Sequence, residues 1–243
     1  MIGRAFALHG ARDATRRERA RHILTTCGLE GDLWPEVEGS ALSSATLSAT
    51  VGTRIFAPAY PFPLTTPEIA RFLSHRQIWA EILRRDLDYG LIVEQDAALD
   101  PAVFPSALAL ARDHIDDLGY IRFQTQAIRG PARLIDTNGG AVLSLPLVSA
   151  PLCPVQMIAR DAAMHLLNLT ETFDRPVECL IQSHWHTGLR AGTIHPSGVS
   201  CIAQTQADAE HAPLTQLWVR YLYRRALRRA ARHSRAPVTG GLI

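Results

Sequence analysis

The sequence predicts an α/β fold built on a parallel, doubly wound sheet. Two observations predict it. The run Tyr89-Gly90-Leu91-Ile92-Val93 ends in three consecutive branched aliphatics with no polar alternation, which marks a strand covered on both faces. Along the rest of the chain, short apolar runs alternate with segments of helical periodicity, the pattern of strand-helix-strand units. With 243 residues, 47% hydrophobic and 20% charged, the chain is long enough for one full α/β core and too apolar to be disordered.

The elements follow in order. Arg4 to His9 reads as a first strand, and Asp13 caps a helix with an apolar face of Ala20, Ile23, Leu24 and Cys27, stopped by Gly28. Residues 40–63, rich in Ser, Thr, Ala and Pro, read as a long irregular excursion. Thr66-Pro67-Glu68 starts a helix: a capping hydroxyl, a proline at the first helical position and an acid at the positive dipole end. Its buried face is Ile69, Phe72, Leu73, Trp79, Ile82 and Leu83, and it feeds the 89–93 strand. Asp100-Pro101 starts another helix running to about Arg112, and Tyr120 to Gln126 reads as a strand with alternating faces. Gly139 to Ala159 carries no charge over about the length of a membrane span. Pro146, Pro151 and Pro154 rule against a helix there, so two short buried strands joined by proline turns are expected. Asp161 to Leu169 reads as a helix, and Arg175-Pro176-Val177-Glu178 as a loop entering the next element.

All 25 basic residues are arginine, which excludes any lysine nucleophile or Schiff base. The net charge of +2 hides an asymmetry. Arg220, Arg224, Arg225, Arg228, Arg229, Arg232 and Arg235 crowd the end, where no acid follows Glu210. Without those seven, residues 1–216 carry about −5. Cys27, Cys153, Cys179 and Cys201 show neither zinc nor disulfide spacing, so four reduced thiols are expected. The first residues hold no apolar stretch suited to a secretory leader, and a cytoplasmic location is expected.

The strand at 89–93 runs straight into Glu94-Gln95-Asp96. In extended chain, residues 94 and 96 point to the same side. Glu94 and Asp96 would then converge at a strand end, a place where open α/β sheets bind ligands. Such a pair suits a hard, oxygen-loving cation, magnesium or manganese, held against a phosphate. The plainer reading is a solvated turn.

Several segments together resemble glycosyltransferase family 25. The closest are residues 64–83, LTTPEIARFLSHRQIWAEIL, and residues 89–99, YGLIVEQDAAL, where the family usually has Glu-Asp-Asp. Fainter likeness runs from residue 4 to about 200. It includes Leu8 with Arg12, Arg16, Arg17 and Glu18, the segment PVQMIARDAAMHLL at 154–167, and RPVECLI at 175–181, which is similar to the family's Pro-Val-Asp site. The sequence departs from that pattern at Gln95, at Glu178 where Asp is usual, and at Leu152-Cys153-Pro154.

The resemblance implies a GT-A-like, Rossmann-type nucleotide-binding sandwich spanning residues 1–213. It implies metal-assisted transfer of a hexose, galactose being one candidate since the family includes bacterial lipooligosaccharide galactosyltransferases, from a UDP-sugar to lipopolysaccharide, lipooligosaccharide or a related bacterial glycan. Asp96 and Glu94 would hold the metal, and Glu178 would be the general base, unless it is merely a helix-start acid. Leu8, Arg12, Arg17, His75 and Glu94 would contact the donor, the arginines through charge-assisted forks to phosphate. His75 flanks the apolar stripe and has an equal reading as a half-buried structural histidine. His184 and His186 are candidates for a third metal ligand. The alternative function is a relative with weakened catalysis that binds a nucleotide sugar, or an adaptor working at a membrane surface.

Residues 214–243 read as a separate basic tail. Leu214, Leu217, Trp218, Tyr221, Leu222 and Leu227 recur near helical spacing among arginines. That pattern suits an anionic membrane surface, which would place the protein on the inner face of the plasma membrane beside a glycolipid acceptor. Docking of the apolar face on the body competes closely; nucleic-acid binding ranks below both.

Overall fold

The computed structural model describes residues 1–10, 13–202 and 214–234. In chain order the elements begin β1 (Gly3–His9), α1 (Ala14–Thr26), β2 (Gly31–Pro35), α2 (Ser44–Thr50), α3 (Thr66–Arg84), β3 (Tyr89–Val93), β4 (Ala97–Leu99), α4 (Phe104–Leu118) and β5 (Tyr120–Phe123). They continue with β6 (Ala132–Asn138), β7 (Ala141–Pro146), β8 (Val155–Ala159), α5 (Arg160–Leu169), α6 (Val177–Ile181), α7 (His184–Thr187), β9 (Gly192–Ile194), β10 (Val199–Cys201) and α8 (Leu214–His233).

Eight strands form one sheet in the order β2-β1-β3-β8-β5-β9-β7-β6, and β4 pairs with β10 in a small second sheet. The fold is mixed α/β, and the expectation of a parallel sheet is corrected. β1 runs parallel to β2 and β3, but β8 lies antiparallel between β3 and β5, and β7 is antiparallel to both β6 and β9. The two uncharged strands expected between 139 and 159 are β7 and β8. Among the described residues no helix is long and apolar enough to cross a membrane.

Local chemistry sets the element ends. The cap of α3 is Thr65, one residue before the expected one: its hydroxyl accepts from Glu68 N–H and the Glu68 carboxylate accepts from Thr65 N–H, a reciprocal capping box. The helix after Asp100 begins later than expected, at Phe104, because Asp100 first organises a turn by accepting from Ala102 N–H through Oδ1. Its end is set by Gly119, whose φ of 69° few other residues adopt without strain, and β5 follows at once. The excursion at 40–63 is not wholly irregular. Ser43 caps α2 by accepting from Thr46 N–H.

Helix α3 lies hard against β3. A Cβ on Gly90 would sit 2.5 Å from Ile82 Cδ1, so the strand must carry glycine there for the helix to approach. That approach buries Phe72, Ile78, Trp79 and Ile82 completely. At the carboxyl end of α3, Asp32 on β2 accepts two hydrogen bonds from Arg4 and one from Arg85, which also binds Glu81. This network ties β1, β2 and the helix end together.

Candidate functional site

Because β2, β1 and β3 are parallel neighbours, their carboxyl ends share one edge. That edge collects the residues just beyond the strands: Gly10 after β1, Glu36 after β2, Glu94 after β3. Glu36 is pinned there by its N–H bond to His9 C=O at 2.9 Å, and Val37 N–H donates to the buried Ser74 hydroxyl of α3 at 2.9 Å. On α3, Arg71 and His75 stand four residues apart and so share a face. Both reach Glu94.

Arg71 is the centre of the cluster. Its Nη1 lies 3.7 Å from Glu94 Oε2 and 3.2 Å from Glu178 Oε1. The carboxylates of Glu94 and Glu178 keep only 12% and 13% of their side-chain surface exposed. His75 is fully buried, with Nε2 3.4 Å from Glu94 Oε1. Neither His75 nitrogen nor Glu94 Oε1 has a well-formed hydrogen bond. Burial opposes the charge on Glu94, but Arg71, His75 and Arg122 outweigh it and hold the carboxyl below its usual range. Glu36 goes the other way: burial and the Glu94 charge push it up, against the pull of Arg71 and Arg16. Gln95 links the two sides, accepting from Arg16 Nη1 at 3.2 Å and donating to Glu36 Oε2 at 3.4 Å.

The extended geometry expected for Glu94 and Asp96 is not what forms. β3 ends at Val93, and Ala97 N–H donates to Glu94 C=O at 3.0 Å, closing a turn over residues 95 and 96. The simple alternation of a strand therefore does not govern the pair. Glu94 turns inward to Arg71 and His75, whereas no described residue pairs with the Asp96 carboxylate. Both charges still act on one neighbour: burial first, then Glu94 and Asp96, push the Cys201 thiol up.

Two sequence comparisons bear on this edge. Residues 11–129, which contain α1, β2, α3, the 94–96 turn and β5, match glycosyltransferase family 25 (LPS biosynthesis protein). The chain belongs to glycosyltransferase family 25. A glycosyltransferase 25 family member of Drosophila melanogaster is 34% identical over 105 residues, 41% of this chain and 17% of that protein. Human procollagen galactosyltransferase 2 is 28% identical over 139 residues, 54% of this chain and 22% of that protein. The aligned regions thus span about a fifth of these relatives' length. Among solved structures, mannose-1-phosphate geranyltransferase from Thermus thermophilus shares 12% identity and a TM-score of 0.36, over 80% of this chain and 74% of that one.

In this family 25 chain the structure brings Glu94, His75 and Glu178 together, with Asp96 on the adjoining turn. It places other expected residues elsewhere. Leu8 is 1% exposed and its side chain belongs to the core. Arg17 is exposed on the outer side of α1. Its neighbour Arg16 is the one that turns in to Gln95. Arg12 lies outside the described residues. His186 accepts from Ala57 N–H at 3.0 Å and Trp185 donates to Ala57 C=O at 2.7 Å, so both brace the 51–62 segment. His184 is pushed down to about 4 by burial and by Arg190. It lines a small cleft with Ser149 and Gln182. Among the described residues no three His, Cys, Asp or Glu side chains form a metal-holding group, and the partners of these two histidines are not Glu94 or Asp96.

Four site residues were missed by sequence reasoning: Arg71, Glu36, Arg16 and Arg122. Arg71 had a visible signal, since it stands four residues before His75. Arg122 had none. It is wholly buried on β5, donating to Ser149 Oγ and Pro151 C=O, each at 2.8 Å. In register beside it lie Gln156 of β8 and Thr193 of β9, with Ser144 of β7 next in the row. All four are buried polar side chains on adjacent strands, each with an unpartnered polar atom.

Proposed function

We propose that this chain is a GT-A-type glycosyltransferase that moves a hexose, with galactose the first candidate, from a UDP-sugar to a hydroxyl of lipopolysaccharide or a related bacterial glycan. The observation that carries it is the gathering of Glu94, the Asp96 turn and Glu178 around Arg71 at the carboxyl edge of the sheet. The family description and the galactosyltransferase name of the human relative support the sugar and the glycan.

Among the described residues no three His, Cys, Asp or Glu side chains gather into a metal-holding group, so a divalent cation here would take Asp96 and Glu94 and complete its shell with water and the diphosphate. Glu94 Oε1, buried without a hydrogen-bond partner, leaves an acceptor for it. Asp96 would hold the ion directly, with Glu94 behind it orienting bound water. Manganese or magnesium there would act as a Lewis acid on the charge that builds on the departing diphosphate.

The chain's own groups supply the rest. Glu178 Oε1 is taken by Arg71, which leaves Oε2 to accept the proton of the attacking hydroxyl. His75 and Arg71 fix the Glu94 carboxylate from two sides, so its position is set before the donor arrives. Arg16, with Gln95, stands at the mouth of β1 where a phosphate or ribose would enter.

Gln95 favours a second reading, a relative that binds the nucleotide sugar but transfers it slowly. It is a neutral amide bonded to Arg16 and Glu36, where the family usually has a third negative charge. One experiment separates the readings. UDP-galactose, UDP-glucose and UDP-N-acetylglucosamine are each incubated with the chain and manganese, and both melting temperature and free UDP are measured. Stabilisation with steady UDP release supports transfer, stabilisation without release supports the slow relative, and neither effect removes both.

A further inference from the structure

Helix α8 presents two faces of different chemistry. One is spent on the body. Leu227 and Ala231 are buried, and the Tyr223 hydroxyl accepts from Arg175 Nη1 at 3.3 Å while its ring lies 5.6 Å from Tyr60. Arg175 is itself buried and paired with Asp174, so this side of α8 is anchored to the interior.

The other face is a single stripe at helical spacing: residues 217, 218, 221, 222, 225, 228, 229 and 232. Its character changes along the axis. The first half is Leu217, Trp218, Tyr221 and Leu222, with Trp218 61% exposed and stacked on Tyr221 at 5.5 Å. The second half is Arg225, Arg228, Arg229 and Arg232, flanked by Arg220 and Arg224. None of these arginines forms an ion pair with a described residue, and α8 holds no acid.

We propose that this outer face of α8 seats the chain on an anionic lipid bilayer. Two adjacent aromatics and two leucines held in water are costly unless something apolar covers them, and the interfacial region of a bilayer accepts both a Trp ring and its N–H. The unpaired arginines beside them meet the negative lipid headgroups, each adding attraction that salt weakens. A nucleic acid would engage the arginines and stack on the aromatics but leaves Leu217 and Leu222 uncovered, so lipid fits the whole stripe. The docked face keeps the helix parallel to the body surface, so the stripe lies along the membrane rather than through it.

Deleting α8 would strip Tyr223 and Leu227 from the body, so surface substitutions are the proper test. The full chain is sedimented with vesicles of phosphatidylcholine alone and of phosphatidylcholine mixed equally with phosphatidylserine. Wild type should pellet with the mixed vesicles only, and less as salt rises. Trp218→Ser/Leu222→Ser should weaken pelleting about tenfold or more with an unchanged melting temperature. Arg225→Ser/Arg228→Ser/Arg229→Ser should abolish the preference for phosphatidylserine. This second variant decides the matter if the first unfolds. Failure of wild type to pellet, full pelleting of both variants, or tighter binding to a single-stranded RNA than to the mixed vesicles would each overturn the proposal. No donor sugar enters this test, so its result is independent of the transfer reaction.

Discussion

Glu94 and Glu178 are held to the same guanidinium nitrogen, Arg71 Nη1, at 3.7 and 3.2 Å. Two largely buried carboxylates from distant parts of the chain therefore share one counter-ion. Arg71→Met should destabilise the fold by about 2–3 kcal/mol, less than breaking a wholly buried pair because Arg71 is partly exposed. Urea unfolding at pH 7 measures this. Adding Glu178→Gln to Arg71→Met should restore part of the loss, since one uncompensated charge is then removed. If the double variant is as unstable as the sum of two independent changes, the shared counter-ion is not the source.

Asp96 has no paired cation among the described residues, so removing its charge should cost the fold little. Asp96→Asn is expected to keep the wild-type melting temperature within a degree or so while turnover with manganese falls about a hundredfold or more. The check is free UDP release alongside a thermal melt. A variant that melts early would show that Asp96 holds the turn, and one that turns over normally would clear it of metal binding.

Gln95 accepts from Arg16 and donates to Glu36, a carboxyl already raised by burial and by Glu94. Gln95→Asp restores the family's usual charge but deletes that donor and adds repulsion. The expected cost is about 1–2 kcal/mol at pH 7. A carboxyl raised in the folded state favours folding most when protonated and loses that advantage as pH rises. The cost of Gln95→Asp should therefore shrink at pH 4. Manganese should support turnover at lower concentrations in this variant, which a metal titration reads directly.

The parts legible in the sequence were those whose environment is written locally. β3 is an unbroken apolar run, β7 and β8 are uncharged and mostly apolar, and α3 carries both its cap signal and its stripe. β6 was illegible because ARLIDTN, at the edge of the sheet, is mostly exposed and shows no apolar pattern. The direction of β8 was equally hidden, since strand orientation depends on the path of the chain between strands. The site follows the same division. Glu94, Asp96 and Glu178 stand out as acids after apolar or proline-marked segments, whereas Glu36 and Arg122 become site residues only through pairing of β2 with β1 and β5 with β8. The choice between Arg16 and Arg17 turns on about a quarter of a helical turn, finer than a cap residue can fix from sequence.

Acid should loosen one corner of the molecule before the rest. Asp32 is held below the usual carboxylate range by its hydrogen bond to Arg4, against burial and with Arg85 helping, and Glu81 is brought down to about 2 mainly by Arg84 and Arg85. A carboxylate depressed in the folded state contributes its stability above the unfolded value and loses it as pH falls toward the folded one. For Glu81 that window runs from the ordinary 4.5 down to about 2. Both groups are partly solvated, so their joint contribution is about 1 kcal/mol rather than the larger figure a buried pair would give. Urea midpoints should fall between pH 5 and pH 3 in wild type, and the fall should be smaller in Asp32→Asn/Glu81→Gln, whose stability at pH 7 starts lower (about 1 kcal/mol). An equal fall in both proteins would place the acid-sensitive groups elsewhere.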